Sequence, residues 1–582
     1  MSAHAFNSRR STVHSSRGLV SCSQPLAASA GIAVLNAGGN AADAAVAVAA
    51  ALNVTEPNCT GIGGDAFCLF WDAREKRVRG INGSGRAPEA MTLQRLQQAG
   101  LKEGIIPLES VHSVTVPGAP ACWDDTVRLF GARAHGDKDG PTLAQVLAPA
   151  IRLADNGYPV CAVASGDWVR SEALIKRASP NWAEMMHSSG KAPREGEFMR
   201  MPNLARTFRE LASKGKAGFY EGRIAGEIVK VCGDLGGLMT LDDLKHHGEV
   251  GSNEITPISY LYKGAAGQKD PSKAVRLHEC PPNGQGLVAL EALSILDELQ
   301  ASGAVPDLLS LEHNSPEYLH ALIVALRLGF ADAGKYVADP DFEGAKHVEA
   351  ILSPAYAKER AKVFDAKTFK PVEHGNPRNS SDTVYFSVVD QEGNACSFIN
   401  SNYAGFGSAI IPAGCGFTLQ NRGSGFVLEE GHANCVAPRK RPYHTIIPAM
   451  ATREVNGEAE CWLSYGVMGG FMQPQGHVQV LLNMLRGMSP QQAIDSPRLM
   501  IGAGTPDQGD VLSTVFLEDG IDESAVEVLR GMGHDVKHVQ GWDKRGQFGK
   551  GQCIARIDYG AGRSAWAAGS DPRGDGCAVP QV

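Results

Sequence analysis

Ser380-Ser381-Asp382-Thr383-Val384-Tyr385-Phe386-Ser387-Val388-Val389-Asp390 is the stretch on which the fold turns. The run from Thr383 is rich in β-branched and aromatic residues and reads as a strand. Gln391-Glu392-Gly393-Asn394 then makes a turn, with Gly393 where φ > 0 is needed, and Ala395-Cys396-Ser397-Phe398-Ile399 returns as the second arm of a hairpin. A threonine opening a strand is ordinary. It is also the residue at which a chain can cut itself to make a nucleophile, because an N-terminal threonine carries a hydroxyl to attack and an α-amine to take its proton. That amine titrates at roughly pH 7.7–8.0, so it works as a base where a lysine would not.

Upstream, residues 365–382 carry Pro371, Gly375, Asn376, Pro377, Asn379 and two serines. This composition predicts an exposed, flexible segment that ends abruptly at the strand. A tail able to move away and a strand able to hold a new terminus are what self-cleavage needs.

The chain has 582 residues, 43% of them hydrophobic, enough for one oversized domain or two. Aromatics are only 7% and Gly and Ala abound, which suits closely packed helix-on-sheet layers. A net charge of −8 without a basic stripe argues against nucleic acid as a partner. No apolar run approaches the roughly 18 residues of a spanning helix, so no membrane partner is expected. Met1 to Arg10 has no apolar core of the signal-peptide kind, although no acidic residue precedes Asp43. Arg17-Gly18-Leu19-Val20 already reads as the first strand. The 13 cysteines never form C-x-x-C pairs or zinc-finger spacings, which predicts free thiols, no metal and a cytoplasmic location.

Residues 23–51 read as two helical stretches interrupted by Gly38-Gly39-Asn40, the second with small residues on every face. Gly61-Ile62-Gly63-Gly64-Asp65-Ala66-Phe67 resembles a phosphate loop but leads into a strand, so a tight turn between close backbones is the better account. Helical patterns occupy Leu143 to Ala154, Ser171 to Arg177, Asn203 to Ser213, Arg223 to Cys232, Gly286 to Leu299 and Glu317 to Tyr336. Gly264 to Lys273 reads as a surface excursion. After the hairpin, more strands and two helices, about 475–486 and 522–532, are expected.

Several dispersed motifs now fall into order. They are Gly38-Gly39-Asn40-Ala41-Ala42-Asp43, Val116-Pro117-Gly118-Ala119, Pro281-Pro282-Asn283-Gly284-Gln285-Gly286-Leu287 and the Thr383 strand, followed by Arg441-Pro442, Gly469-Gly470 and Ser570-Asp571-Pro572-Arg573. Together they resemble the γ-glutamyltranspeptidase family of N-terminal-nucleophile hydrolases, along nearly the whole chain. The resemblance implies an α+β fold, a four-layer αββα sandwich. It implies a precursor cut between Asp382 and Thr383 into a large chain, 1–382, and a small chain, 383–582, forming one intertwined unit. It also implies roles: Thr383 as nucleophile, Ser401 as its support, and Gly469 and Gly470 as donors to the oxyanion. By residue type alone Ser401 also reads as a loop serine capping Asn402, and the glycine pair as a plain turn. His444-Thr445 stands where the family has two substrate-binding serines; His444 also reads as a structural histidine.

Departures from the family pattern matter as much. Arg422 and Gly425 occupy the places of a glutamine and of the aspartate that holds the substrate's α-ammonium. An anion is gone and a guanidinium has arrived, either to take a carboxylate in bidentate fashion or as a surface arginine. Arg86, in Ser84-Gly85-Arg86-Ala87-Pro88, lies about two positions beyond the family's α-carboxylate arginine, and Tyr403 replaces a substrate-contacting asparagine. Val427 to Arg439 is shorter than the segment that forms the transpeptidases' lid, which predicts hydrolysis over transfer to an amino-acid acceptor. These features resemble the lidless branch, close to glutaryl and cephalosporin acylases.

The expectation is a self-processing threonine amidohydrolase for γ-glutamyl amides such as glutathione or its conjugates. It needs no cofactor, and Arg86, Tyr403, Arg422, His444 and Thr445 are the candidates for substrate binding. An acylase for glutaryl-like amides without an α-amine is the alternative, and an unprocessed binding homologue the second alternative. A homodimer remains open.

Overall fold

The computed structural model describes residues 10–101, 104–342, 347–370, 382–502, 514–558 and 564–582. The expected tail before the cut falls largely outside these residues. Helix Ala41–Thr55 anchors one half of the molecule, and all its residues are buried. Alanine makes this possible, since a helix without bulk on any side can be covered on every side. Its start is fixed reciprocally: Ala42 N and Asp43 N donate to Asn40 Oδ1, and Asn40 N donates to Asp43 Oδ2. Helix Pro25–Asn36 precedes it, and Gly38 turns the chain between them at φ 89°.

Two seven-stranded sheets form the middle of the molecule. One runs, edge to edge, Cys577–Pro580, Leu19–Cys22, Asp382–Val389, Ala395–Tyr403, Asp65–Asp72, Arg77–Gly83 and Asn253–Ile255; every neighbouring pair is antiparallel. The other runs Val13–Ser15, Ser564–Ser570, Lys550–Asp558, Glu458–Met468, Ala449–Val455, Val275–Glu279 and Ile258–Tyr262, also antiparallel throughout. Strands from both sides of the Asp382–Thr383 bond contribute to each sheet. The first strand of the chain, Val13–Ser15, lies just ahead of the one expected from the sequence.

The sheets pack face to face. Ser387 and Ser464 meet across them, Oγ to Oγ at 2.6 Å. Gly466 faces Tyr385 so closely that a Cβ there would lie 2.6 Å from the ring. Helices Pro25–Asn36, Ala41–Thr55 and Ala119–Phe130 cover the Thr383 sheet; Gly286–Ala301, Met472–Leu485 and Pro490–Asp495 cover the other. The result is the four-layer αββα sandwich.

Two local expectations are corrected. Gly264–Lys269 is a helix, not a loose excursion: it packs on Gly286–Ala301, and Asp297 accepts from Lys263 N and Gly264 N at its start. A third helix, Pro490–Asp495, follows the hairpin region, started by a capping box between Ser489 and Gln492.

Candidate active site

Thr383 lies at a register shift. Asp382 pairs with Tyr403 and Val384 with Asn400, so Ser401 and Asn402 both stand opposite Thr383. Ser401 is therefore a strand residue and no loop cap. Thr383 Oγ1 donates to Ser401 Oγ at 3.1 Å, and Tyr403 N donates to the same oxygen at 2.9 Å. Both hydroxyls are fully buried. The glycine turn before Asp65 makes this possible: a Cβ on Gly64 would lie 2.2 Å from Ser401 O.

Arg422 is equally buried, which rules out the surface reading. Its NH1 donates to Thr445 Oγ1 at 2.8 Å, its NH2 lies 3.5 Å from Ser401 Oγ, and its guanidinium sits 4.2 Å from the centre of the Tyr403 ring. Tyr403 reaches this position with φ 81°. Burial lowers the Arg422 pKa to about 10, leaving it cationic at neutral pH. Among the described residues no carboxylate lies within ion-pairing distance of it, Asp65 acting on it only at longer range, and its Nε has no hydrogen-bond partner.

Both ring nitrogens of His444 have partners within the protein. Its Nε2 donates to Asp65 Oδ2 at 2.9 Å and its Nδ1 accepts from Ile446 N at 3.3 Å. Burial, then the charge of Arg422, push its pKa down to about 3, and the ring is neutral. Asp65, which sequence reasoning passed over, is the hub it serves: Oδ1 accepts from Gly85 N, Gly118 N and Gln420 Nε2 at 2.8–3.0 Å. The available signal was an aspartate opening the strand Asp65–Asp72, apolar between its two end residues.

The glycine pair follows from the facing of the sheets. Ser387 opposes Ser464 and Tyr385 opposes Gly466. Continued along both strands, this facing runs toward Thr383 on one sheet and toward the end of Glu458–Met468 on the other, where Gly469-Gly470 follow directly. Both glycines have positive φ, 123° and 58°. Their carbonyls accept from Met472 N and Gln473 N in the first turn of helix Met472–Leu485. Their own N–H groups make no main-chain hydrogen bond among the described residues. Free amides at a helix N-terminus suit a developing oxyanion.

Arg86 is placed elsewhere. Its guanidinium contacts His247 Nδ1, Gly251 O and Asn253 Oδ1 at 3.3–3.4 Å, in a cluster shared with Arg441. The side chain joins the Asn253 segment to the Arg441 loop and has no hydrogen bond with Thr383, Ser401 or Arg422 among the described residues. A cavity of about 60 Å³ is lined by Tyr403, Ser424, Gly425, Phe426, Tyr443, Thr445 and Phe471 among others, and meets the Thr383 neighbourhood through Tyr403 and Thr445. Val427, His432 and Asn434 from the shortened segment complete its wall, while Phe426, Leu428 and Val436 pack on Met91, Leu96 and Ile106. A larger cleft of about 760 Å³, lined by Lys76, Arg77, Arg276 and Arg453, contains none of these groups.

A threonine at the start of an inner strand of an αββα sandwich, its hydroxyl on Ser401, is the arrangement of an N-terminal-nucleophile amide hydrolase. A sequence profile of the family described as gamma-glutamyltranspeptidase matches residues 27–581, and the chain belongs to that family. It is 36% identical over 558 residues to the glutathione hydrolase-like YwrD proenzyme of Bacillus subtilis, covering 95% of this chain and 96% of the relative. It is 31% identical over 569 residues to the oxamate amidohydrolase proenzyme of Klebsiella pneumoniae, covering 97% and 98%. The crystal structure of cephalosporin acylase from Bacillus halodurans superposes with a TM-score of 0.84 at 37% identity, covering 100% of this chain and 98% of that one.

Proposed function

We propose that this protein is a self-processing threonine amidohydrolase whose substrates carry a free carboxylate on the acyl half and no α-ammonium. In processing, Thr383 Oγ attacks the Asp382 carbonyl carbon, the Asp382–Thr383 C–N bond breaks, and water hydrolyses the resulting ester. Chains 1–382 and 383–582 result, the second with a free α-amine. In turnover that amine takes the Thr383 hydroxyl proton as Oγ attacks the substrate amide. Gly469 and Gly470 N–H groups hold the oxyanion, and the amine passes the proton to the leaving nitrogen. Water, deprotonated by the same amine, then releases the acid and restores Thr383.

The observation that carries the substrate reading is Arg422: a fully buried guanidinium beside Ser401 and Thr445, without a carboxylate partner among the described residues. A carboxylate bound there gains a charge-assisted pair in a closed site. Gly425 at the cavity wall offers no anion for an ammonium, and Asp65 already accepts from four donors. Relatives named oxamate amidohydrolase and acylase support this reading, while one named glutathione hydrolase-like supports γ-glutamyl amides as the second. Val427 to Arg439 packs its Leu428 and Val436 on Met91, Leu96 and Ile106, and a segment this short has few residues left to lie over an acyl-enzyme, which favours water over an amino-acid acceptor. Comparing kcat/KM for glutaryl and γ-glutamyl p-nitroanilide tests the choice. The glutaryl amide is expected to be at least about tenfold better, since an unpaired buried ammonium is unfavourable. A preference for the γ-glutamyl amide would establish the second reading.

A further inference from the structure

Gln285 occupies the N-cap position of helix Gly286–Ala301, yet its side chain makes no capping bond. Glutamine is not a favoured N-cap residue, and here its amide is used on other partners. The side chain is fully buried. Its Nε2 donates to Thr445 O at 2.6 Å and to Gly470 O at 2.9 Å, and its Oε1 accepts from Tyr443 OH at 3.2 Å. Every polar atom of this amide therefore serves the neighbourhood of the nucleophile.

The two carbonyls belong to the two sides of the site. Thr445 carries the hydroxyl that receives Arg422 NH1. Gly470 belongs to the pair with positive φ, where glycine has the widest backbone freedom. One NH2 group bridging these carbonyls fixes the spacing between the carboxylate anchor and the oxyanion donors. Tyr443, whose ring lines the cavity, holds the opposite end of the amide and fixes its orientation.

We infer that Gln285 is a positioning residue for amide hydrolysis, setting the distance from Arg422 to the Gly469-Gly470 amides. This rests on the assignment of those amides to the oxyanion. Misplacing donors affects the transition state more than the bound substrate, so the loss falls on kcat.

The test measures processed wild type, Gln285→Met, Tyr443→Phe and the double variant on glutaryl and γ-glutamyl p-nitroanilide. Gln285→Met should lower kcat about 10- to 100-fold with KM within about threefold. Tyr443→Phe should lower kcat a few-fold, and the double variant should lose no more than Gln285→Met alone, because both act through one amide. A kcat within twofold of wild type in either single variant, a loss confined to KM, or multiplying losses would each overturn the inference. Should Gln285→Met fail to fold, Tyr443→Phe alone decides through its kcat. A wild type inert toward both anilides would instead overturn the proposed function, and the inference with it.

Discussion

His444 Nε2 donates to Asp65 Oδ2 at 2.9 Å, and neither side chain has any exposed surface. This pair joins the segment carrying Thr445 to the strand beside Ser401, so it holds the two walls of the site together. Asp65→Asn keeps the shape but replaces an acceptor of four donors with a group that must itself donate. Hydrogen bonds to charged groups contribute about 1.5–3 kcal/mol each, so a loss of roughly 2–4 kcal/mol is expected. Urea denaturation of wild type and variant reads it; an unchanged midpoint would show that Asp65 holds nothing together.

Arg422 gives a charge prediction. Arg422→Met should reduce kcat/KM on a glutaryl amide about 100-fold or more, the scale of a lost buried charge partner. On an uncharged butyryl amide the variant should lose much less, because that acyl group never used the guanidinium. Equal losses on both amides would make Arg422 a structural residue and remove the carboxylate from the proposal.

The pH profile separates two bases. If the Thr383 amine is the base, kcat/KM should rise with pH up to about 8, near the ordinary value for an α-amine, and stay level above it. His444 contributes no step in that range, since its pKa is held near 3 by burial and by Arg422. Its effect is on folding. A histidine whose folded pKa lies below its unfolded value of about 6.5 contributes stability that is present above pH 6.5 and lost as pH falls toward 3. Stability that is constant from pH 7 to 4 would contradict the neutral, buried ring.

Much of this architecture was legible in the residues. The Thr383 hairpin, with Gly393 at φ 88°, and the two helices around Gly38 follow from local pattern and turn chemistry. The closing Ser570-Asp571-Pro572-Arg573 was recognisable as a motif, but its work was not. Arg573 bridges Asp571 and Glu518 in a fully buried network with Arg498. Burial opposes the charge on Asp571, yet Arg573 and Arg498 outweigh it and bring its pKa to about 2. Glu518 and Arg498 lie far from that motif in sequence, and such partners leave no local trace. For the same reason the sequence could not separate Arg422, which the fold buries beside Ser401, from Arg86, which it turns toward Asn253. The roles of His444 and Asp65 likewise exist only once Gly64 lets the Ser401 strand come close.

Thr383 becomes an N-terminal nucleophile only when the Asp382–Thr383 bond is cut, and intact mass measurement reads that cut. Purified wild type, with Thr383→Ala alongside, should resolve into two chains, the smaller beginning at Thr383, while the variant stays one chain of 61.6 kDa. A wild type that remains whole after prolonged incubation, or that is cut at another bond, would contradict the account.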